Sequence, residues 1–323
     1  MDRPDEKVWL WIDPTRKCNL KCALCYTSAS HGASDLDMLK LKGIIANIRS
    51  EPRIQVAELT FNWRGEPLMN RAFPELLGYL TSADLGFPIQ FHTNAMILTP
   101  RIAKRVVDAA SGCTIYLSID GGTKESHESN RGVGTFDRAI AGSWNLLRAR
   151  GTRRWPRIVL YQLDLREIPS RYSADFLALA HAVDAWQRVQ PILPTGDATA
   201  LASSPETARG SPMVNAWREV QFSEPVPQGP CFWMGYALCV SPEADVSVCL
   251  VSHSSSGVLG NLLVHSAGEI LERARAYRRR VTVEGRQAIP HCMNCRKIEG
   301  TARSPRPLKN LQGEFHSRES RVV

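Results

Sequence analysis

Nine cysteines make up the most reactive part of this sequence, and seven of them fall into two sets. Cys18, Cys22 and Cys25 form C-x3-C-x2-C in TRKCNLKCALCYTS, directly after an apolar, β-rich run. Three thiolates can hold three irons of a cubane cluster and leave the fourth iron with an open coordination position. A structural zinc ion wants four ligands in a tetrahedral array, and this segment offers three. His31, six residues past Cys25, is the nearest histidine and reads as a loop residue. Cysteines gathered at a strand end and followed by polar residues are not core patterning. The second set, Cys231, Cys249, Cys292 and Cys295, is spaced C-x17-C-x42-C-x2-C. Spacing alone suits either zinc or an iron–sulfur cluster there, since each takes four thiolates. Cys113 reads as a buried structural thiol, and Cys239, in YALCVSP, as a small buried hydrophobe on the plainest reading.

The elements that must position these groups alternate along the chain. Strands are expected at Val8–Asp13, Gln55–Phe61, Pro88–Asn94, Thr114–Asp120, Arg157–Leu163 and Gln187–Leu193. Helical spacing fills Asp35–Arg49, Ala72–Ala83, Arg101–Ala110, Thr135–Arg150 and Ser173–Ala185. Strands separated by helix-length connections predict a parallel sheet covered by helices. Six such units predict an α/β fold of the partial (β/α)6, TIM-like barrel kind, short of the eight strands of a closed one. Chemistry then belongs at the C-terminal ends of the strands. Residues 1–222 are assigned to this barrel, with Pro194–Pro212 a linker or lid. Residues 223–300 form a second unit with a hairpin signal, Ala237–Ser241 and Val246–Leu250 flanking Pro242–Asp245, and 301–323 a basic polar tail.

The 323 residues are 43% hydrophobic and 22% charged, which excludes a disordered chain, a collagen-like repeat and a small disulfide scaffold. No run approaches the roughly 18 apolar residues of a membrane span, and the charged start argues against a signal peptide. A cytoplasmic protein with no membrane association is expected, where cysteines serve metals or redox chemistry more than disulfides. The net charge of +8 is local: residues 273–323 carry 13 Lys/Arg against 4 Asp/Glu, leaving 27 basic and 28 acidic side chains elsewhere. That basic stretch, with Arg278, Arg279 and Arg280, reads as a solvated helix face. A zinc-binding nucleic-acid adaptor is the non-enzymatic alternative, and no aromatic–basic interleaving or zinc-finger spacing supports it.

With its three-cysteine loop after the first strand, the chain resembles the radical S-adenosylmethionine (SAM) superfamily over nearly its whole length. Leu24 stands where that family usually has an aromatic, and Tyr26 follows. The family's Gly-Gly-Glu-Pro run appears as Arg64-Gly65-Glu66-Pro67, with arginine in place of the first glycine. Thr93-Asn94 ends the third strand and Ser118-Ile119-Asp120 the fourth, and Arg131-Gly132 and Gly134-Thr135-Phe136-Asp137 match further family segments. Thr135 and Asp137 are expected at a helix start. The resemblance implies SAM contacts from Gly65, Glu66, Pro67, Thr93, Asn94, Ser118, Asp120 and, by position, Gln162. It also implies one [4Fe–4S] cluster on Cys18, Cys22 and Cys25.

The second set then resembles a Twitch domain, the short SPASM form, implying an auxiliary [4Fe–4S] cluster on Cys231, Cys249, Cys292 and Cys295. Such enzymes need an external electron donor of flavodoxin or ferredoxin type. The lack of an N-terminal peptide-recognition module suggests a small polar substrate, and similarity to aminocyclitol-modifying epimerases and dehydrogenases suggests an amino sugar or aminocyclitol antibiotic intermediate. A thiol can return a hydrogen atom to a substrate radical, so Cys239 is the expected catalytic donor and epimerisation the expected outcome. Alcohol oxidation to a ketone, and modification of a peptide, are the alternatives. Gln162, Asp164, Arg166, Gln187 and Arg188 are positional candidates for substrate handling, Arg188 as a clamp.

Overall fold

The computed structural model describes residues 6–25, 27, 31–165, 169–189, 231, 235–250, 257–289 and 292. The proposed linker at 194–212, the tail, Arg166 and Cys295 lie outside the described residues. Six strands, β1 (Glu6–Ile12), β2 (Ile54–Thr60), β3 (Ile89–Thr93), β4 (Cys113–Ser118), β5 (Arg157–Leu163) and β6 (Ala185–Val189), each pair in parallel with the next. Helices α1 (Met38–Arg49), α2 (Phe73–Ser82), α3 (Pro100–Ala109), α4 (Lys124–Arg131), α5 (Phe136–Arg150) and α6 (Ala174–Ala182) fill the crossovers. In α1 the buried side chains Leu41, Ile44, Ile45 and Ile48 follow helical spacing, and Asp37 caps its start by accepting from the Lys40 amide.

Strand alternation sorts the sheet into two faces. Val8, Leu10 and Ile12 of β1 and Ile89 and Phe91 of β3 pack with the helices into the main core. Trp9 and Trp11, and by the same parity His92 of β3 and Tyr116 of β4, turn to the other, inner face. The sheet does not close: β6 is one edge, and the far edge continues past β1.

That continuation is the C-terminal hairpin. Strand β7 (Ala237–Val240) pairs in parallel with β1, Cys239 opposite Trp11, and β8 (Asp245–Ser247) and β9 (Val258–Asn261) follow in antiparallel order. The second unit is thus an extension of the barrel sheet. Helix α7 (Ala267–Glu284) lies over it, started by a capping box between Ser266 and Glu269. Asn47 of α1 clasps this region, donating to the Leu262 and His265 carbonyls and accepting from the Ala267 amide.

The basic run is not simply a solvated face. Arg275 and Arg278 both pair with Glu6 at the start of β1, and Arg278 also donates to the Ala237 carbonyl. Burial pulls the Arg278 guanidinium down to about 10. Among the described residues, no helix is long and apolar enough to cross a membrane.

Candidate active site

The loop from Asp13 to Cys25 leaves the C-terminal end of β1 and is pinned on three sides. Thr15 and Lys17 both donate to the Asp35 carboxylate, at 2.6 Å each. Asn130, in the last turn of α4, accepts from the Ala23 amide with its carbonyl and from the Leu24 amide with its side chain, both at 2.8 Å. Asn94 donates to Asn19 Oδ1 at 2.8 Å. Cys18, Cys22 and Cys25 are half-buried. Burial pushes the Cys18 thiol up to about 12 and the Cys22 thiol higher still, and each thiol feels a neighbouring one electrostatically. The three sulfurs share a neighbourhood, yet no three such side chains among the described residues converge on a single metal ion. A cubane, in which each thiolate binds a different iron, would supply the positive charge the buried thiolates lack.

Against this loop lies the turn after β2. A Cβ on Gly65 would come within 2.3 Å of the Thr15 carbonyl oxygen and 2.5 Å of that of Lys17, so only glycine lets the two backbones pass. The Glu66 amide then donates to the Lys17 carbonyl at 2.8 Å. The Glu66 carboxylate accepts from Thr93 Oγ1 (2.7 Å), the Asn94 amide (2.7 Å) and the Leu68 amide (3.3 Å). Burial pushes its pKa up while those donors pull it back. Pro67 opens a short 3-10 turn capped by Glu66. Gly65, Glu66, Pro67, Thr93 and Asn94 therefore form one hydrogen-bonded patch beside the cysteine loop, with amide and carbonyl groups able to meet an amino-acid ligand.

Asp120, beyond β4, is fully buried, and its carboxylate is already engaged. Arg131 donates to both oxygens, at 2.5 and 2.9 Å, and Asn130 to one at 2.6 Å. Burial opposes its charge, but Arg131 overcomes this and holds the carboxyl below its usual range. Asp120 aims Arg131, whose pKa is raised by Asp120, Cys22 and Cys18 against the cost of burial. His127 accepts from the Asp120 amide at 3.2 Å, and burial pushes it down to about 4. Thr135 does not cap α5: its hydroxyl donates to the Gly132 carbonyl, and Glu128 accepts from the Phe136 amide instead.

Ser118 sits half-buried at the inner end of β4. Beneath it His92 stacks on Tyr116 with centroids 4.5 Å apart and meets the edge of Tyr161 at 4.6 Å. Burial pushes His92 down to about 4 and Tyr161 up to about 12, so both stay neutral across the physiological range. Glu58 accepts from Gln90 at 2.5 Å on the same face.

Gln162 departs from expectation. It shares the parity of Ile158 and Leu160, faces the helices, and accepts from Trp186 Nε1 at 3.0 Å, so it is not brought to the SAM patch. Asp164 and Arg188 pair with each other at 2.7 Å across β5 and β6. Cys113 is buried at the start of β4, as expected of a structural thiol. Cys239 is fully buried on the inner face of β7, packed with Trp11, Trp63 and Leu250.

In the second set, Cys231 is half-buried and Cys249 and Cys292 are buried. Tyr277 of α7 feels both Cys249 and Cys292, which, after burial, push its hydroxyl higher. Those two thiols thus share one side of α7. Sequence reasoning missed Tyr277, Asn130 and Trp63, none of which carries a local signal.

The comparisons agree with this geometry. Residues 12–162 match the radical SAM superfamily, and residues 231–296 match the SPASM iron–sulfur cluster-binding domain. The chain carries a radical SAM domain followed by a C-terminal auxiliary-cluster domain, and these imply SAM and [4Fe–4S] clusters as its cofactors. Among curated relatives it is 29% identical to mycofactocin maturase MftC of Mycobacterium tuberculosis (strain CDC 1551 / Oshkosh) over 196 residues, covering 60% of this chain and 47% of that protein. The chain thus spans about half the length of that relative. Among solved structures it resembles BtrN in complex with AdoMet and 2-DOIA, at 14% identity and a TM-score of 0.54, covering 92% of this chain and 95% of that one. Native anSMEcpe with bound AdoMet and Cp18Cys peptide gives 15% identity and a TM-score of 0.58, covering 90% and 88%.

Proposed function

We propose that this radical SAM enzyme oxidises an alcohol carbon of a small hydroxylated substrate, an amino sugar or aminocyclitol. The observation that carries the reading is the pairing of β7 with β1. With Trp63 donating to the Leu250 carbonyl, this pairing supports a position for Cys249 near the inner face of the barrel. When bound, SAM with its cluster would supply hydrogen-atom abstraction, and the auxiliary cluster an acceptor for one electron. An alcohol carbon that loses a hydrogen atom, a proton and an electron becomes a ketone.

The chain's own residues must orient the hydroxyl and exclude water. Neutral His92, braced by Tyr116 and Tyr161, is suited to accept from a substrate hydroxyl. Cys239 as hydrogen donor for epimerisation requires access that its packing under Trp11 and Trp63 does not favour. Likeness to BtrN bound to 2-DOIA supports the substrate class. Likeness to anSMEcpe bound to a peptide favours a second reading, peptide modification.

The test is anaerobic turnover of the reconstituted, reduced enzyme with SAM and 2-DOIA in deuterium oxide. A ketone formed in equal amount with 5′-deoxyadenosine, unchanged in Cys239→Ala, is the expected result. An inverted product bearing one deuterium and lost in Cys239→Ala would replace oxidation by epimerisation.

A further inference from the structure

Two neighbouring residues join the two cysteine sites. Cys25 Sγ lies 3.3 Å from Thr27 Oγ1, and that hydroxyl donates to the Arg64 carbonyl at 3.1 Å. The Arg64 guanidinium stacks over the Trp63 ring, 4.0 Å from its centroid. Trp63 Nε1 donates to the Leu250 carbonyl at 2.8 Å, across 187 residues of sequence, and Leu250 follows Cys249. Arg64 is anchored in turn by Asp13, 3.0 Å from Nε, and the Asp13 amide donates to the Val240 carbonyl at the end of β7. The contacts therefore run from the first cysteine loop to the second set with no gap wider than a hydrogen bond or a stacked ring.

Arg64 stands where the family resemblance puts glycine. A buried cation there is costly: Asp13 is fully buried, the Arg64 side chain nearly so, and Arg64 Nη2 has no hydrogen-bond partner among the described residues. Burial pushes the Asp13 carboxyl up to about 6 and pulls Arg64 down. An apolar side chain would fill the space at lower cost, since buried ion pairs seldom add net stability and are better at fixing one arrangement over others. What this pair fixes is the Trp63 ring. The cation covers the ring face left by its packing against Trp11 and Leu250, and so helps to hold the N–H on the Leu250 carbonyl.

We propose that Trp63 and Arg64 are positioning residues that lock the auxiliary-cluster ligand Cys249 to the SAM-cluster loop, so that the two clusters sit in one fixed relation. The proposal rests on the reading of Cys249 as an auxiliary ligand, and the experiment separates the two. The starting protein is the Cys18→Ala/Cys22→Ala/Cys25→Ala variant, reconstituted anaerobically so that only the auxiliary site holds iron. Trp63→Phe keeps an aromatic face and deletes the N–H. A net hydrogen bond of about 1 kcal/mol corresponds to about a fivefold change. Iron loss to a chelator should therefore quicken about fivefold, and the electron paramagnetic resonance g values of the reduced cluster should move.

Arg64→Gly/Asp13→Asn removes the cation without stranding a buried carboxylate, and should move the same g values in the same direction. A merely structural loss would lower the melting temperature without changing the spectrum. Unaltered iron retention and g values in Trp63→Phe would overturn the bridge. If Cys249→Ala keeps its full complement of iron, the ligand reading falls instead, whatever Trp63→Phe does.

Discussion

The two cysteine sites solve the same problem, holding thiolates in a fixed constellation, by opposite means. The first is a contiguous loop of eight residues, Cys18 to Cys25, fastened by hydrogen bonds to α4, Asp35 and the Glu66 turn. The second set is spread over the chain from Cys231 to Cys295, and long-range structure positions its described members: β7 on β1, Trp63 on Leu250, and Tyr277 near Cys249 and Cys292. A contiguous site can tolerate loosening elsewhere because its geometry is local. A dispersed one depends on the sheet that assembles it.

The largest effects should come from exchanging damage between the two sites. Replacing Cys18, Cys22 or Cys25 by alanine should abolish 5′-deoxyadenosine formation and remove about half of the iron, leaving the auxiliary half. Replacing Cys249 or Cys292 should remove the other half and all product, while slow uncoupled cleavage of SAM persists. Iron and sulfide analysis beside chromatographic assay of 5′-deoxyadenosine reads both. Loss of all iron from either class of variant would show the sites to be mutually dependent, and the contrast drawn here would fail.

What the sequence made legible follows the same division. The cysteine loop, Gly65-Glu66-Pro67 and Thr93-Asn94 were readable because each is a short run at a strand end, and the structure assembles them as one patch. Six parallel strands were readable from alternation. Gln162 was misplaced because a strand end in YQLDL gives no cue to parity, and a one-residue step changes the face. The pairing of Asp120 with Arg131 was not legible because Arg131 ends an unforeseen helix, α4, whose polar sequence KESHESNR shows no apolar period. Trp63 had no signal at all, since its partner is 187 residues away.

A more moderate effect should expose how the contiguous site is fastened. Asn130→Ala removes one side-chain acceptor for the Leu24 amide and one donor to Asp120. Two such bonds are worth about 1 kcal/mol each, and the buried Leu24 amide left without its acceptor adds to the cost, so a loss of about 2–3 kcal/mol is expected. Denaturant unfolding should show it, and occupancy of the SAM cluster should fall while auxiliary iron stays. Equal loss from both sites would mean that α4 supports the whole sheet and not the loop alone.

The smallest effect concerns acid. His127 is fully buried beside Asp120 and ionises only near pH 4, whereas an unfolded histidine takes up its proton near 6.5. Between those values the unfolded chain holds more protons, so stability is full above about pH 6.5 and falls as pH drops towards 4. The shift sets a ceiling of about 3 kcal/mol, with the pull of nearby Asp120 and Glu128 towards the charged ring already part of it. Urea midpoints at pH 7 and pH 5 should differ less in His127→Gln than in the wild type. Because His127 holds the Asp120 amide, the early acid loss should fall on the α4 side of the molecule. Iron should leave the Cys18–Cys25 site at pH 5 before it leaves the auxiliary site, and the reverse order would place the acid-sensitive contact in the dispersed site instead.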